Sequence, residues 1–157
     1  MIEFRPIEMK DREQYNAFAL LNDLPVSYYN FTSLFTWRKL VDSQMAVIEN
    51  CLVVRGRYGQ RPDYYHFPLG DGDIKGVVEA LIEETKGQLV LLPVMPEMKD
   101  TLEKMFPGKF TFTLCRDQFD YVYKSEDLIS LRGKKLHAKR NHINKLDRKS
   151  TRLNSSH

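Results

Sequence analysis

Apolar and polar residues alternate in some stretches of the chain and recur at helical spacing in others, and the order of these stretches predicts a mixed fold. Ile2-Glu3-Phe4-Arg5-Pro6-Ile7 alternates and stops near Pro6, the pattern of a short edge strand. From Asp11 to Asn22 the residues Tyr15, Phe18, Ala19 and Leu21 recur every three or four positions, which predicts an amphipathic helix ended by Pro25. Ser27 is placed to cap a second helix carrying Tyr28, Phe31, Leu34, Phe35 and Trp37, an aromatic stripe read as core. Gln44 to Ile48 and Cys51 to Arg55 read as strands joined across Glu49-Asn50, a two-residue hairpin spacing. A loop over 56–63 then leads to a third strand of the meander, Tyr64 to Leu69.

The second half of the pattern alternates helices and strands. Ile74 to Lys86 presents Val77, Val78, Leu81 and Ile82 on one face, with Asp73 as the cap and Gly87 as the stop. Gln88 to Val94 is almost continuously apolar and predicts a strand buried on both faces. Pro96 to Phe106 predicts a further helix, and Phe110 to Leu114 and Phe119 to Tyr123 predict two last alternating strands. This order implies an α/β (α+β) domain, a mixed and mostly antiparallel sheet with helices on both faces, rather than a doubly wound parallel sheet. Through Tyr123 it resembles the element order of a GNAT acyltransferase domain.

Composition changes the picture at the C-terminus. Asp147 to His157 reads DRKSTRLNSSH, which matches the conceptual translation of a common short-read sequencing adapter at all eleven positions. Leu146 is therefore expected to be the last native residue, with no regular structure beyond it and the chain a truncated fragment. Setting the tail aside leaves 21 basic and 20 acidic residues, and the net charge falls from +3 to +1. The longest apolar stretch, Leu89 to Met95, is far short of the roughly 20 residues that cross a bilayer. The acids of MIEFRPIEMKDRE stand where a signal peptide needs an apolar block, so the expected location is cytoplasmic. Cys51 and Cys115 are expected as buried free thiols.

Candidate chemistry is sparse. Gly70 and Gly72 in Phe67-Pro68-Leu69-Gly70-Asp71-Gly72-Asp73 have the spacing of a pyrophosphate-cradling turn at a helix N-terminus. GNAT acetyltransferases carry Gln or Arg where Phe67 stands, and Asp71 and Asp73 bring negative charge to the place of the pyrophosphate. A plain turn before a capped helix is the expectation, with no cofactor. His66 lies in a predicted strand, His137 and His142 lack further ligands, and Glu83 and Glu84 belong to a solvated helix end, so neither a metal site nor an acid/base pair is expected. Arg55, Arg57 and Arg61 are read as a solvated hairpin tip.

The segment from Arg132 to Lys145 carries six Lys and Arg and no acid in fourteen residues. Such a local excess is an electrostatic footprint for a polyanion, so Arg132, Lys134, Lys135, Lys139, Arg140 and Lys145 are the candidate phosphate contacts. On a helical template Leu136, Ile143 and Leu146 form a narrow docking stripe.

Tyr121-Val122-Tyr123, Asp127-Leu128, Leu131 to Lys135 and Lys139 to Lys145 resemble the bacterial family named for the C-terminal domain of phosphatidylglycerol lysyltransferase, as do Tyr29 to Arg38 and Phe67 to Gly70. The resemblance implies one GNAT-like domain over 1–123, a basic connecting helix over 124–146 and a second GNAT-like domain that the chain lacks. It further implies an aminoacyl-tRNA-dependent aminoacyltransferase of which this chain is the N-terminal half. A CoA-dependent N-acyltransferase and a non-catalytic GNAT-like scaffold are the alternatives. The catalytic residues are not identified by the sequence, and a fragment without its second domain is expected to be inactive alone.

Overall fold

In the computed structural model, residues 2–22, 24 and 26–154 are described, and the chain divides into two compact units, Met1–Arg116 and Asp117–His157. Pro25 and the last three residues of the adapter-like tail lie outside the described residues. The first unit is built on β1 (Arg5–Pro6), α1 (Arg12–Leu20), α2 (Phe31–Trp37), β2 (Gln44–Ile48), β3 (Cys51–Gly56), β4 (Tyr64–Tyr65), β5 (Leu69–Gly70), α3 (Ile74–Glu84) and α4 (Pro96–Met105). The second holds α5 (Ser125–Ser130) and α6 (His137–Asn154).

The hairpin forms as its sequence dictates. Glu49 and Asn50 take φ of 46° and 58°, the left-handed pair that lets a two-residue turn follow the twist of its strands. β2 and β3 then pair antiparallel from Ile48↔Cys51 to Gln44↔Arg55, and β1 adds an edge through Arg5↔Met45 and Pro6↔Gln44. The fold is thus mixed α/β with a five-stranded sheet whose ladders are antiparallel.

Alternation along β3 divides the core. Leu52 and Val54 join Tyr15, Phe31, Leu34 and Leu102, from α1, α2 and α4, on one side. Cys51 and Val53 join Val77 and Leu81 of α3 on the other. Both sets are almost wholly excluded from solvent, so β3 is the strand buried on both faces. That role was expected of Gln88 to Val94. Instead, that segment meets the sheet at a single parallel bridge, Tyr65↔Leu91, with Tyr65 N donating to Val90 O at 2.8 Å and Leu92 N donating to Tyr65 O at 2.9 Å. β4 is two residues long and offers no edge for a longer ladder, so Val90 stays 45% exposed.

The third meander strand is interrupted. β4 pairs through Arg55↔Tyr65, whereas β5 pairs through Leu52↔Leu69, so His66, Phe67 and Pro68 oppose only Val53 and Val54. This is a bulge, and Pro68, with no N–H to give the ladder, sits within it.

Helix starts follow local capping. Asp73 accepts from Gly76 N at 3.0 Å and starts α3 as expected, and Pro96 occupies the first turn of α4. Ser27 does not cap α2. It opens a separate short 3-10 turn, Ser27–Tyr29, and Asn30 is the cap, accepting from Thr32 N at 2.8 Å.

Phe110 to Leu114 and Phe119 to Tyr123 form no strands. Period-2 alternation marks a strand only where an edge exists to pair with, and Tyr121 is 89% exposed. Both cysteines are free, but Cys115 is exposed rather than buried because the strand expected to bury it is absent. The connecting helix also differs from its expected span: α5 ends at Ser130, a 3-10 turn covers Lys134–Leu136, and the long helix starts at His137. It continues past Leu146 to Asn154, overturning the expected end of regular structure. No Gly or Pro lies between Lys134 and Asn154, so nothing in the backbone stops it.

Candidate functional site

The glycine turn is built against the hairpin. A Cβ on Gly70 would fall 2.3 Å from Asn50 O, and one on Gly72 would fall 1.7 Å from Glu49 O. Both glycines are therefore required by the close approach of the turn to the hairpin backbone. Asn50 Nδ2 also donates to Asp71 Oδ1, tying the two turns together. The backbone space that a pyrophosphate cradle needs is filled by the chain itself, while the Asp73 carboxylate occupies the N-terminus of α3.

A polar cluster the sequence did not reveal lies at the bulge. Tyr29, which the aromatic stripe does not include, donates its hydroxyl to Pro93 O at 2.8 Å and accepts from Phe67 N at 3.3 Å. It thereby bridges the bulge and the segment beyond the parallel bridge. His66 packs with its ring centroid 5.1 Å from that of Tyr29 and 6.1 Å from that of Tyr64. Its Nδ1 is buried without a hydrogen-bond partner among the described residues, as is the hydroxyl of Tyr15. Burial pushes the imidazole down to about 4 and the Tyr29 and Tyr15 phenols well up. His66 is thus held neutral inside the core. The contacts span 38 residues of sequence between Tyr29 and Phe67, and no local pattern announces them.

The predicted polyanion residues are not all alike. Lys134 and Lys135 lie in the 3-10 turn, Lys139 and Lys145 lie in α6, Arg132 lies in the preceding turn, and all five are exposed. Arg140 is half-buried and turned inward, its Nη1 donating to Gly133 O at 3.0 Å and also to Leu131 O. Leu131 and Gly133 take φ of 47° and 86°, so the guanidinium braces the left-handed turn that joins α5 to the lysine-bearing stretch. The structure assigns Arg140 a bracing contact and leaves the lysines projecting. On the other side of the expectation, the docking stripe is open: Leu136 is half-buried, and Ile143 and Leu146 are exposed.

Among the described residues no group of His, Cys, Asp and Glu is arranged to hold a metal ion, and no helix is long and apolar enough to cross a membrane.

Residues 21–155 match the family model described as phosphatidylglycerol lysyltransferase, C-terminal. A crystal structure of a conserved protein of unknown function from Bacteroides thetaiotaomicron VPI-5482 is similar at 40% identity with a TM-score of 0.83, over 92% of this chain and 50% of that one. This chain therefore spans about half the length of that relative. The comparison with curated proteins gives no match. The chain belongs to the phosphatidylglycerol lysyltransferase C-terminal family, a transferase-related family.

Proposed function

We propose that this family member is the N-terminal, GNAT-like half of a cytoplasmic aminoacyltransferase that takes its acyl group from aminoacyl-tRNA. The observation that carries the reading is the run of exposed cations, Arg132, Lys134, Lys135, Lys139 and Lys145, inside the stretch that matches the family. A second GNAT-like domain would supply the reacting centre, a division supported by the chain's 50% coverage of its relative. In such a transfer the acceptor's nucleophile attacks the ester carbonyl. The carbonyl–ribose oxygen bond breaks, and the acceptor's proton passes to the departing ribose hydroxyl. The ester is already reactive, so the protein's task is alignment and oxyanion stabilisation. This chain's share is to hold the donor's phosphates, or those of an anionic phospholipid headgroup, by the exposed lysines of the 3-10 turn and α6.

A CoA-dependent acyltransferase fits less well. Gly70 and Gly72 are used against Glu49 and Asn50, and Asp71 and Asp73 stand where the pyrophosphate would need cations. A non-catalytic scaffold with the same cationic surface is the remaining alternative. Calorimetric titration of the chain with acetyl-CoA and with aminoacylated tRNA separates the CoA reading from the tRNA reading, and transfer of the aminoacyl group by the full-length protein separates the transferase from the scaffold. We expect saturable, salt-dependent tRNA binding and no heat with acetyl-CoA, whereas a low-micromolar acetyl-CoA complex would overturn the proposal.

A further inference from the structure

β1 forms one outer edge of the sheet and carries Arg5 and Pro6, a charge and a residue without an N–H, which discourage further pairing. The opposite side, beyond β4, is not guarded in this way. There residues 88–92 meet the sheet only at Leu91. The groups turned toward β4 are Val90 O and Leu92 N, both bonded to Tyr65. Main-chain groups of successive residues point to opposite edges, so those of Leu89 and Leu91 point away from β4. Among the described residues they make no main-chain hydrogen bond. Gln88-Leu89-Val90-Leu91-Leu92 has no charge and no proline, and Val90 is 45% exposed. Such an edge is a template for one more strand.

The chain also carries a segment with the composition of a strand and no ladder. Tyr121, Val122 and Tyr123 are aromatic and β-branched, the types that favour strands, and are 89%, 75% and 51% exposed. Phe110 and Phe112, from the other alternating stretch, already pack against the first core. Adding Tyr121-Val122-Tyr123 to the Leu89–Leu91 edge gives the main-chain groups of both segments partners and lays side chains beside Val90. Within one copy no ladder joins the two segments. Two copies related by a twofold axis can each give a segment and receive one, so the pairing closes at a dimer instead of growing into a fibre.

We infer that this chain forms a strand-exchanged dimer, in which Tyr121-Val122-Tyr123 of each copy pairs with the Leu89–Leu91 edge of the other. The inference uses neither the lysines of the second unit nor the glycine turn, and it stands or falls independently of the tRNA reading.

The test is sedimentation of the 157-residue protein from low to high micromolar concentration, with reductant present so that exposed Cys115 links no copies. A dimer should form with rising concentration, and amide exchange at Leu89 and Leu91 should slow as it does. Tyr121→Pro with Val122→Pro removes N–H groups from both edges of the segment, and Val90→Lys places a guarding charge on the receiving edge. Each variant alone should be monomeric. Mixed together they should form a heterodimer, because the proline variant keeps an intact edge and the lysine variant an intact segment. All three positions are exposed, and unaltered far-ultraviolet circular dichroism confirms that the variants fold. A wild-type monomer at every concentration overturns the inference, even if Leu89 and Leu91 are protected from exchange. A dimer that survives both variants, as one held by Ile143 and Leu146 of α6 would, overturns it as well. So does a dimer abolished by only one of them, or a mixture that does not associate.

Discussion

The two units of the chain carry equally apolar stretches and treat them in opposite ways. In the first, Leu52, Val53, Val54 and Tyr65 are buried because β3 has a strand on each edge and helices on each face. In the second, Tyr121, Val122 and Ile129 have comparable side chains, and Ile129 is 85% exposed. The difference teaches that hydrophobic pattern specifies what a segment can become, while the available edges and faces decide whether it does. It also separates stability, which resides in the first unit, from charge display, which belongs to the second.

The sharpest way to break that comparison is to remove equivalent side chains from both units. Leu52→Ala or Leu102→Ala should cost about 2–5 kcal/mol by urea denaturation, since each leaves a cavity in a closed core. Ile129→Ala should change stability by less than about 0.5 kcal/mol. Equal losses would show that the second unit is packed as tightly as the first.

The local features of the first unit are legible in the sequence, and the contrast between the units is not. The hairpin at Glu49-Asn50, the Asp73 cap and the Pro96 helix start rest on interactions within a few residues, and sequence carries these directly. The bulge at His66 to Pro68, the single bridge at Leu91 and the Tyr29 hydroxyl between Phe67 and Pro93 are set by partners far away in the chain. Phe110 to Leu114 and Phe119 to Tyr123 alternate as strands do, and the pattern is silent on whether a neighbouring edge exists. Of the basic residues, composition gave the cluster but could not tell Arg140, turned onto two carbonyls, from the lysines that project.

Acid should act on the first unit through His66. Its folded value of about 4 lies below the unfolded value near 6.5, so the unfolded state binds more protons between these limits. The contribution is complete above about pH 6.5 and is lost as the pH falls toward 4, amounting to about 3 kcal/mol. Denaturation midpoints of wild type and His66→Phe across that range check it. A variant that keeps the full slope would assign the loss to other groups. Asp11, held below the usual carboxylate range chiefly by its hydrogen bonds from the Arg5 guanidinium, adds a loss in the same direction at lower pH.

Gly72→Ala sharpens the reading of the glycine turn. The added methyl meets the Glu49 carbonyl, a backbone atom that cannot swing aside, and should cost about 1–3 kcal/mol with no change in tRNA affinity. Retained stability would mean that the turn is free to open toward a ligand.

The smallest effect is expected from deleting 147–157. We propose that this segment is adapter-derived although α6 runs into it and the family match reaches residue 155. Its removal should leave the thermal midpoint of the first unit within about 1 °C, because the core clusters of that unit are built from other residues. Finding the same eleven codons in genomic DNA amplified without adapters would make the segment native.

The account's central claim is that the projecting lysines meet a polyanion while Arg140 braces their turn. It is tested most directly by the salt dependence of aminoacylated-tRNA binding for wild type, for Lys134→Ala/Lys135→Ala/Lys139→Ala and for Arg140→Ala. The triple variant should lower the slope of log affinity against log salt by roughly 0.7–0.9 per lysine, uniformly across tRNA species. Arg140→Ala should loosen the turn, read as faster amide exchange at Leu131 to Leu136, with a smaller change in slope than three lost lysine contacts produce. An unchanged slope and affinity in the triple variant would contradict the claim.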